Sequence, residues 1–273
     1  MSKIKTLFRP EPITLKNGKQ VEPPFKTSLV VMLVLLALIV ISAQVTNFNF
    51  MKLIERGNEF VVFLKRLWPP NISFIKRVTK PMIQTVAMSF LGTLFAGIFG
   101  LPFAYLSSEN MNTNALTRNL VRFTLSIFRT IPVLIIALIM TYIFGLGTFA
   151  GTMAIFLFTF SIITKMTYEQ IELVDMGPFE ALLPPGATKP KAFIVSILPP
   201  ISGLYLSTIL YNLEMNIRSA AILGYVGAGG IGTLMNEAIG WRKYDNLSTI
   251  LIMLLITVVI IESLSRSVRK RLA

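Results

Sequence analysis

The sequence contains no cysteine and no histidine. Their absence excludes disulfides, thiol chemistry, zinc sites built from these residues, and acid–base catalysis by histidine. Charged residues are scarce, at 14% of the chain against about 25% in a typical soluble domain. An enzyme embedded in the membrane would need clustered carboxylates, a Ser–His pair or metal ligands. The predicted spans hold few carboxylates. A serine–lysine dyad is the one catalytic arrangement left open, and Lys165 is the only lysine near a span end.

Hydrophobic residues, by contrast, make up 53% of the chain. Several runs reach the ~20 apolar residues that are needed to cross about 30 Å of hydrocarbon. We therefore predict an all-α, polytopic membrane protein with about six transmembrane helices. The net charge of +13 could indicate nucleic acid. In a membrane protein the anionic lipid surface is the expected partner instead, and no nucleic-acid partner is predicted.

The first part of the chain divides into three predicted segments. Residues 1–27 are polar and basic, which predicts a cytoplasmic N-terminus by the positive-inside rule. Residues 28–45 are predicted to form an uncleaved first transmembrane helix, because this apolar run is long for a signal peptide. Residues 46–80 are predicted to be extracytoplasmic, with an amphipathic interfacial helix that ends at Trp68. Their many basic residues break the positive-inside rule, which leaves the placement of this segment open.

The rest of the chain is predicted to form a membrane core over residues 81–266 and a basic cytoplasmic tail over residues 267–273. Further spans are predicted at residues 82–106, 119–144, 149–166, 197–213 and 247–264. Counting six crossings from the basic N-terminus places both termini in the cytoplasm. The same count places the polar segment 180–200 on the cytoplasmic side.

Segment 180–200 interrupts the apolar pattern. Pro178 suits the first turn of a helix, and Pro184 disfavours helical backbone at Leu183, so one short helix is predicted over residues 178–183. Irregular backbone in hydrocarbon leaves amide groups unpaired, so this segment must lie in water or against protein. An ordinary proline-rich loop between helices is the alternative.

The spacing of Glu180-Ala181, Gly186 and Leu198-Pro199 resembles the EAA loop of bacterial ABC importer permeases. In that family the loop forms a short coupling helix that docks into a cleft of the ATPase subunit. The resemblance therefore implies that Glu180, Ala181 and Gly186 contact an ATPase.

A second motif is rich in glycine and includes Gly227, Gly229, Gly230 and Gly232. It matches the dinucleotide pattern G-x-G-x-x-G letter for letter. The pattern also requires a strand, a helix and a soluble α/β unit, and this run lies between two predicted spans, so dinucleotide binding is rejected. Two interpretations stay open, namely a plain turn between spans or bare backbone that lines a substrate pathway.

Together with Asn216-Ile-Arg218, the glycine run is similar to the signature of the phosphonate-type permease branch, and the methionine-importer branch shares a looser version. Arg129-Thr-Ile-Pro132 resembles a pattern at the start of a core helix in importer permeases. The resemblance covers about residues 81–266 and implies a type I ABC importer permease fold in the bacterial plasma membrane. It also implies a second permease copy in a homodimer, two copies of a cytoplasmic ATPase, and an extracytoplasmic substrate-binding protein that delivers phosphonate or a related phosphorus oxyanion.

The energy source is expected on another chain, because no G-x-x-x-x-G-K-[ST] nucleotide-binding sequence occurs here. We accordingly expect no cofactor on this chain, with ATP and Mg bound by the partner ATPase. No catalytic residue and no metal ligand is predicted.

The candidate substrate path comprises the four glycines and four polar residues, Asn212, Glu214, Asn216 and Arg218. Glu214 and Arg218 are four positions apart and can pair on one helix face. One interpretation is a structural ion pair. The other is that Arg218 meets an anionic substrate, since a guanidinium suits phosphonate oxygens.

Three alternatives to a phosphonate-type permease remain. They are a permease of the methionine or another small-solute branch, a membrane-embedded enzyme, and a structural subunit without transport. A copurifying ATPase whose turnover responds to a binding protein would separate a permease from the last two.

Overall fold

The computed structural model describes residues 13–14, 18, 20–21 and 27–272. Most of the predicted cytoplasmic segment, residues 1–27, lies outside them. Apart from a two-residue pairing of β1 (Ile13–Thr14) with β2 (Gln20–Val21), the described elements are helical, which confirms the predicted all-α class. The α-helices are α1 (Thr27–Val45), α2 (Phe50–Glu55), α3 (Gly57–Arg66), α4 (Ile75–Ser107), α5 (Ala115–Thr130), α6 (Val133–Phe144), α7 (Thr148–Leu173), α8 (Gly177–Leu182), α9 (Lys189–Ala192), α10 (Leu198–Leu223), α11 (Ile231–Gly240) and α12 (Tyr244–Leu272).

Contacts divide the chain into two units, Met1–Leu64 and Lys65–Ala273. In the first unit, α1 coincides with the predicted first transmembrane helix. Its 19 residues give a length of about 28 Å, close to the thickness of the hydrocarbon core. The Asn49 side chain caps α2 by accepting a hydrogen bond from the amide of Met51. Helix α3 lies within the segment for which an interfacial helix is predicted.

Four helical stretches of the described chain are long and apolar enough to cross a membrane. They are Ile72–Ser107, Thr148–Leu173, Lys189–Val226 and Tyr244–Arg271. The number reaches six if each of two bent pairs forms one span, which agrees with the prediction of about six. These pairs are Val30–Val45 with Phe50–Arg66, bent by 58°, and Ala115–Thr130 with Val133–Phe144, bent by 96°.

The predicted span at residues 119–144 is not one helix. Helix α5 ends at Thr130, and Ile131 is extended (φ −79°, ψ 124°) before Pro132 leads into α6. Pro132 has no amide hydrogen to donate and disfavours helical backbone at the residue before it, so the break lies where proline chemistry requires it. With 12 residues, α6 is about 18 Å long and cannot cross hydrocarbon by itself.

The second unit is built around α4 and α7, which pack closely because small residues of α4 face large ones of α7. A Cβ atom added at Gly92 would lie 2.7 Å from Cγ2 of Ile155, and one added at Gly100 would lie 3.1 Å from Cγ2 of Ile163. Small residues let helices approach closely in a membrane, where packing replaces the hydrophobic effect as the driving force.

Helix α10 is longer than the predicted fifth span, residues 197–213. It follows a π-helical turn at Phe193–Ile197 and stays helical to Leu223. The polar residues Asn212 to Arg218 therefore lie within the helix and not at its end. The predicted basic tail, residues 267–273, is also helical as far as Leu272, as the last turns of α12.

Candidate functional site

Helix α8 is the short helix predicted in the polar segment, with Pro178 in its first turn. The carboxylate of Asp175 accepts a hydrogen bond from the amide of Gly177 at 3.0 Å, which orders the entry into the helix. Phe179 is 4% exposed, whereas Glu180 and Ala181 are exposed. One face of α8 is therefore anchored to the protein, and the other is free to contact a partner.

Gly186 is required by its backbone conformation and not by a lack of space. Its φ is +99°, and no atom lies within 4 Å of a Cβ built there. The amide of Gly186 donates to the carbonyl of Leu183, and the amide of Ala187 donates to that of Leu182. This pair of bonds is the Schellman arrangement, in which a left-handed glycine closes a helix end.

The buried face of α8 belongs to a cluster that we call the coupling-end cluster. It packs α8 against α4, α7 and the start of α10, and Tyr105 meets Phe193 edge to face with ring centroids 5.1 Å apart. Its buried members are Ala104, Met111, Ile171, Phe179, Ala192, Phe193, Ile197 and Ile201. The position of α8 is thereby fixed relative to three helices of the membrane core.

Asn216, a predicted path residue, is a buried hydrogen-bond node. Its side-chain amide donates to Oγ1 of Thr93 at 2.8 Å and to Oγ1 of Thr159 at 2.9 Å. These bonds join α10 to α4 and α7. The nearby Asn212 donates to the carbonyl of Thr208 within its own helix at 2.8 Å. The amide groups of both asparagines are thus engaged by the protein.

Glu214 does not pair with Arg218, so the interpretation of these two residues as a structural ion pair does not hold. Its Oε1 lies 2.7 Å from Nη2 of Arg269 in α12, and its side chain is 6% exposed. Burial of a carboxylate requires a close cation, and the packing of α10 against α12 supplies one from a distant part of the sequence. This partner could not be found from helical spacing alone.

Arg218 lies on the exposed side of α10. Within the described residues its side chain has no acidic partner, and its Nη2 lies 3.6 Å from Sδ of Met215. An exposed guanidinium within a membrane-spanning helix is costly when it faces lipid, so such residues usually face a cavity or a partner.

The glycine-rich run is a packed turn between α10 and α11. A Cβ at Gly232 would lie 2.1 Å from the carbonyl oxygen of Ala221, and one at Gly229 would lie 2.8 Å from the amide nitrogen of Thr148. Gly227 and Gly230 have positive φ, +76° and +72°. These glycines therefore allow main chains to touch and to turn.

Hydrogen bonds fix this turn further. The amide of Ile231 donates to Oγ1 of Thr85 at 2.7 Å, and the carbonyl of Gly227 accepts from the amide of Gly147 at 2.9 Å. Thr85 belongs to a row of buried hydroxyls on α4 with Ser89 and Thr93. These three residues are spaced by four, which places them on one face of α4. This spacing is the sequence pattern from which the row could have been predicted.

Metal ligands were not predicted, and across the described residues no group of three or more acidic side chains is arranged to hold an ion. Glu237, in the last turn of α11, forms an ion pair with Arg77 at 3.0 Å.

Comparison with known proteins gives the following similarities. The family model for the binding-protein-dependent transport system inner membrane component matches residues 96–273. A putative phosphite transport system permease protein, HtxC of Stutzerimonas stutzeri, is 30% identical over 96% of this chain and 93% of its own length. The phosphite transport system permease protein PtxC of the same organism is 31% identical over 74% of each chain. An inward-facing structure of the MetNI methionine ABC transporter shares the fold, with a TM-score of 0.66 and 22% identity over 74% of this chain and 99% of that one.

Proposed function

Because the chain belongs to the family of binding-protein-dependent transport system inner membrane components, we propose that it carries phosphonate or a related phosphorus oxyanion as the permease subunit of an ATP-binding-cassette importer. The chain is a multi-pass inner membrane protein and a transport subunit, not an enzyme. The observation that carries the substrate proposal is the similarity to a putative phosphite permease along nearly the whole of both chains.

The proposed contact with the ATPase is the exposed face of α8, with Glu180, Ala181 and the Gly186 turn. Two features support it. The face is exposed and carries the carboxylate of Glu180, and the opposite face is anchored through Phe179 in the coupling-end cluster. Movement of α8 by the ATPase would therefore displace the ends of α4 and α7 that pack against it. In this proposal ATP and Mg are bound by the partner ATPase and not by this chain.

The proposed substrate path runs along the side of α10 that carries Arg218. A phosphorus oxyanion is strongly hydrated, so a route through the membrane must replace water by hydrogen-bond donors. Arg218 offers a planar set of donors and is exposed. Asn212, Glu214 and Asn216 are bonded within the protein, so they are proposed to shape the path and not to touch the substrate.

The glycines of the run, Gly227 to Gly232, are proposed to border the same path at the end of α10. Three main-chain amides near them already donate within the protein, those of Gly227, Ala228 and Ile231. The contribution of the run is therefore the shape of the wall, which bare backbone permits, and Arg218 is the anion contact.

The assembled transporter is proposed to contain a second copy of this chain, a cytoplasmic ATPase dimer and an extracytoplasmic binding protein. Both termini are proposed to lie in the cytoplasm, with basic residues at the membrane surface against anionic lipid. Single cysteines at Asn71 and Thr188 test this topology, because the chain has no cysteine of its own. An impermeant thiol reagent added to intact cells is expected to label the first and not the second. The reverse labelling would invert the proposed topology.

Uptake in cells tests the substrate class. A strain without its own phosphorus-oxyanion importers would express this chain with its ATPase and binding protein, and labelled phosphite, methylphosphonate, phosphate and methionine would be offered separately. We expect uptake of at least one phosphorus oxyanion and none of methionine. Methionine uptake without phosphorus uptake would assign the chain to the other branch.

A further inference from the structure

Arg122 of α5 stands at the junction of three structural elements. Its Nε donates to the carbonyl of Ser107, the last residue of α4, at 2.7 Å. Its Nη2 forms an ion pair with Glu172 in the last turn of α7. Its guanidinium carbon lies 4.5 Å from the centroid of the Tyr168 ring, one turn earlier on α7. One side chain thus connects α4, α5 and α7.

The loop between α4 and α5 reinforces this connection. Glu172 Oε1 also accepts a hydrogen bond from the amide of Glu109 at 2.8 Å. The side-chain amide of Asn110 reaches the carbonyls of Ile171 and Glu172, at 3.4 Å and 3.3 Å. The last carbonyl groups of a helix lack hydrogen-bond partners within the helix. The loop supplies partners for two of these carbonyls at the end of α7 and thereby fixes the position of that end.

The end of α7 leads directly into α8. Helix α7 ends at Leu173 and α8 begins at Gly177. Met111 of the α4–α5 loop, Ile171 of α7 and Phe179 of α8 are all buried in the coupling-end cluster. A displacement of α8 therefore reaches the α7 end and the loop through packed side chains as well as through the main chain.

Helix α5 links Arg122 to the break between α5 and α6. It is 16 residues long and ends at the 96° bend before α6. Resting on the proposed function, we propose that Arg122 is a positioning residue that transmits movement of α8 to α5, so that ATP-driven movement at the cytoplasmic surface reorients the α5–α6 bend. Glu172 is its partner in this transmission.

The geometry requires arginine at this position. A planar guanidinium bonds a carbonyl with one edge, pairs with a carboxylate through another nitrogen and stacks on an aromatic ring at the same time. A lysine keeps the charge and can pair with Glu172, but it cannot make all three contacts. Arg122 and Glu172 are 29% and 26% exposed, so solvent screens the pair only in part.

The test measures uptake per ATP hydrolysed in the complete transporter with Arg122→Gln, Arg122→Lys and Glu172→Gln. Glu169→Gln is the matched control, because it removes an exposed ion pair with Lys165, 2.8 Å long, one turn earlier on the same helix. Loss of a charge-assisted bond shifts an equilibrium by about tenfold. We expect a fall of about that size in the coupling ratio for Arg122→Gln and Glu172→Gln, a smaller fall for Arg122→Lys, and no change for the control.

A purely structural role would give a different result. Uptake and ATP hydrolysis would then fall together with the amount of assembled complex, leaving the ratio unchanged, and that outcome overturns the proposal. Failure of the isosteric Glu172→Gln variant to assemble overturns it as well, because the pair would then serve folding. If the wild-type complex transports a different solute, the proposed substrate is wrong, and the same ratio measured with that solute still tests Arg122.

Discussion

Replacing Arg269 by alanine tests the placement of α12 against α10. The substitution removes the cation that lies 2.7 Å from the carboxylate of Glu214. Glu214 is 6% exposed, so it would be left as a buried charge without its partner. The residue that sequence spacing pairs with Glu214 is Arg218, and the alanine variant at that position leaves the observed ion pair intact.

The magnitude follows from the burial of the two side chains. Removing one partner of a buried ion pair destabilises a protein by about 3–5 kcal/mol. Arg269 is 28% exposed, and water can reach the site after truncation, so we take the lower end, about 3 kcal/mol. At about 2–4 °C per kcal/mol for a chain of this size, the midpoint of thermal unfolding should fall by about 6–12 °C.

The assay is thermal unfolding in detergent of the purified wild-type protein and three variants. Arg269→Ala is expected to lower the midpoint, and Arg218→Ala is expected to leave it unchanged. Glu214→Leu combined with Arg269→Leu should recover most of the loss, because an apolar pair of similar volume is often as stable as a buried ion pair. A lowered midpoint for Arg218→Ala together with a normal one for Arg269→Ala would refute the observed pairing.

Four further predictions concern single residues. Gly186→Ala places a side chain on a residue with φ +99°, which costs about 1–2 kcal/mol, so ATP-driven uptake should fall. The control is Gly240→Ala, where a Cβ atom has open space, and uptake by that variant should be normal. Asn216→Leu removes two interhelical bonds worth about 0.6 kcal/mol each, so the unfolding midpoint should fall by a few degrees; an unchanged midpoint would exclude Asn216 as a node. Gly232→Ala places a Cβ 2.1 Å from a carbonyl oxygen, so little folded protein should reach the membrane, and normal expression would contradict the packed turn. Arg218→Ala should abolish uptake at normal stability, with Arg218→Lys intermediate; uptake at the wild-type rate would remove Arg218 from the path.

Local chemistry made much of the fold predictable. Pro178 and Pro184 set the bounds of a short helix to within one residue of α8, and long apolar runs located the four main spans. The family that the motifs resembled is confirmed by the match over residues 96–273. These features depend on neighbouring residues in the sequence, and a single sequence contains that information.

Features that depend on packing were not predictable in the same way. Pro132 marks a break but does not give its angle, which is 96° between α5 and α6. Both helices contact α7. The partner of Glu214 is 55 residues away, and only the packing of α10 on α12 makes it a neighbour. Nothing in the sequence near Arg122 indicates its contacts with Glu172 and Tyr168, because these residues are about 50 positions away and are brought close only by the packing of α5 on α7.

ATP-driven uptake into proteoliposomes tests directly whether this chain is the permease subunit of a phosphorus-oxyanion importer. The vesicles would contain this chain with its ATPase, with the binding protein and labelled phosphite or methylphosphonate outside and ATP inside. We expect uptake that requires all three proteins, is blocked by unlabelled phosphorus oxyanion and is unaffected by methionine. ATP hydrolysis stimulated by the binding protein, with accumulation of another solute and of no phosphorus oxyanion, would contradict the proposed substrate class.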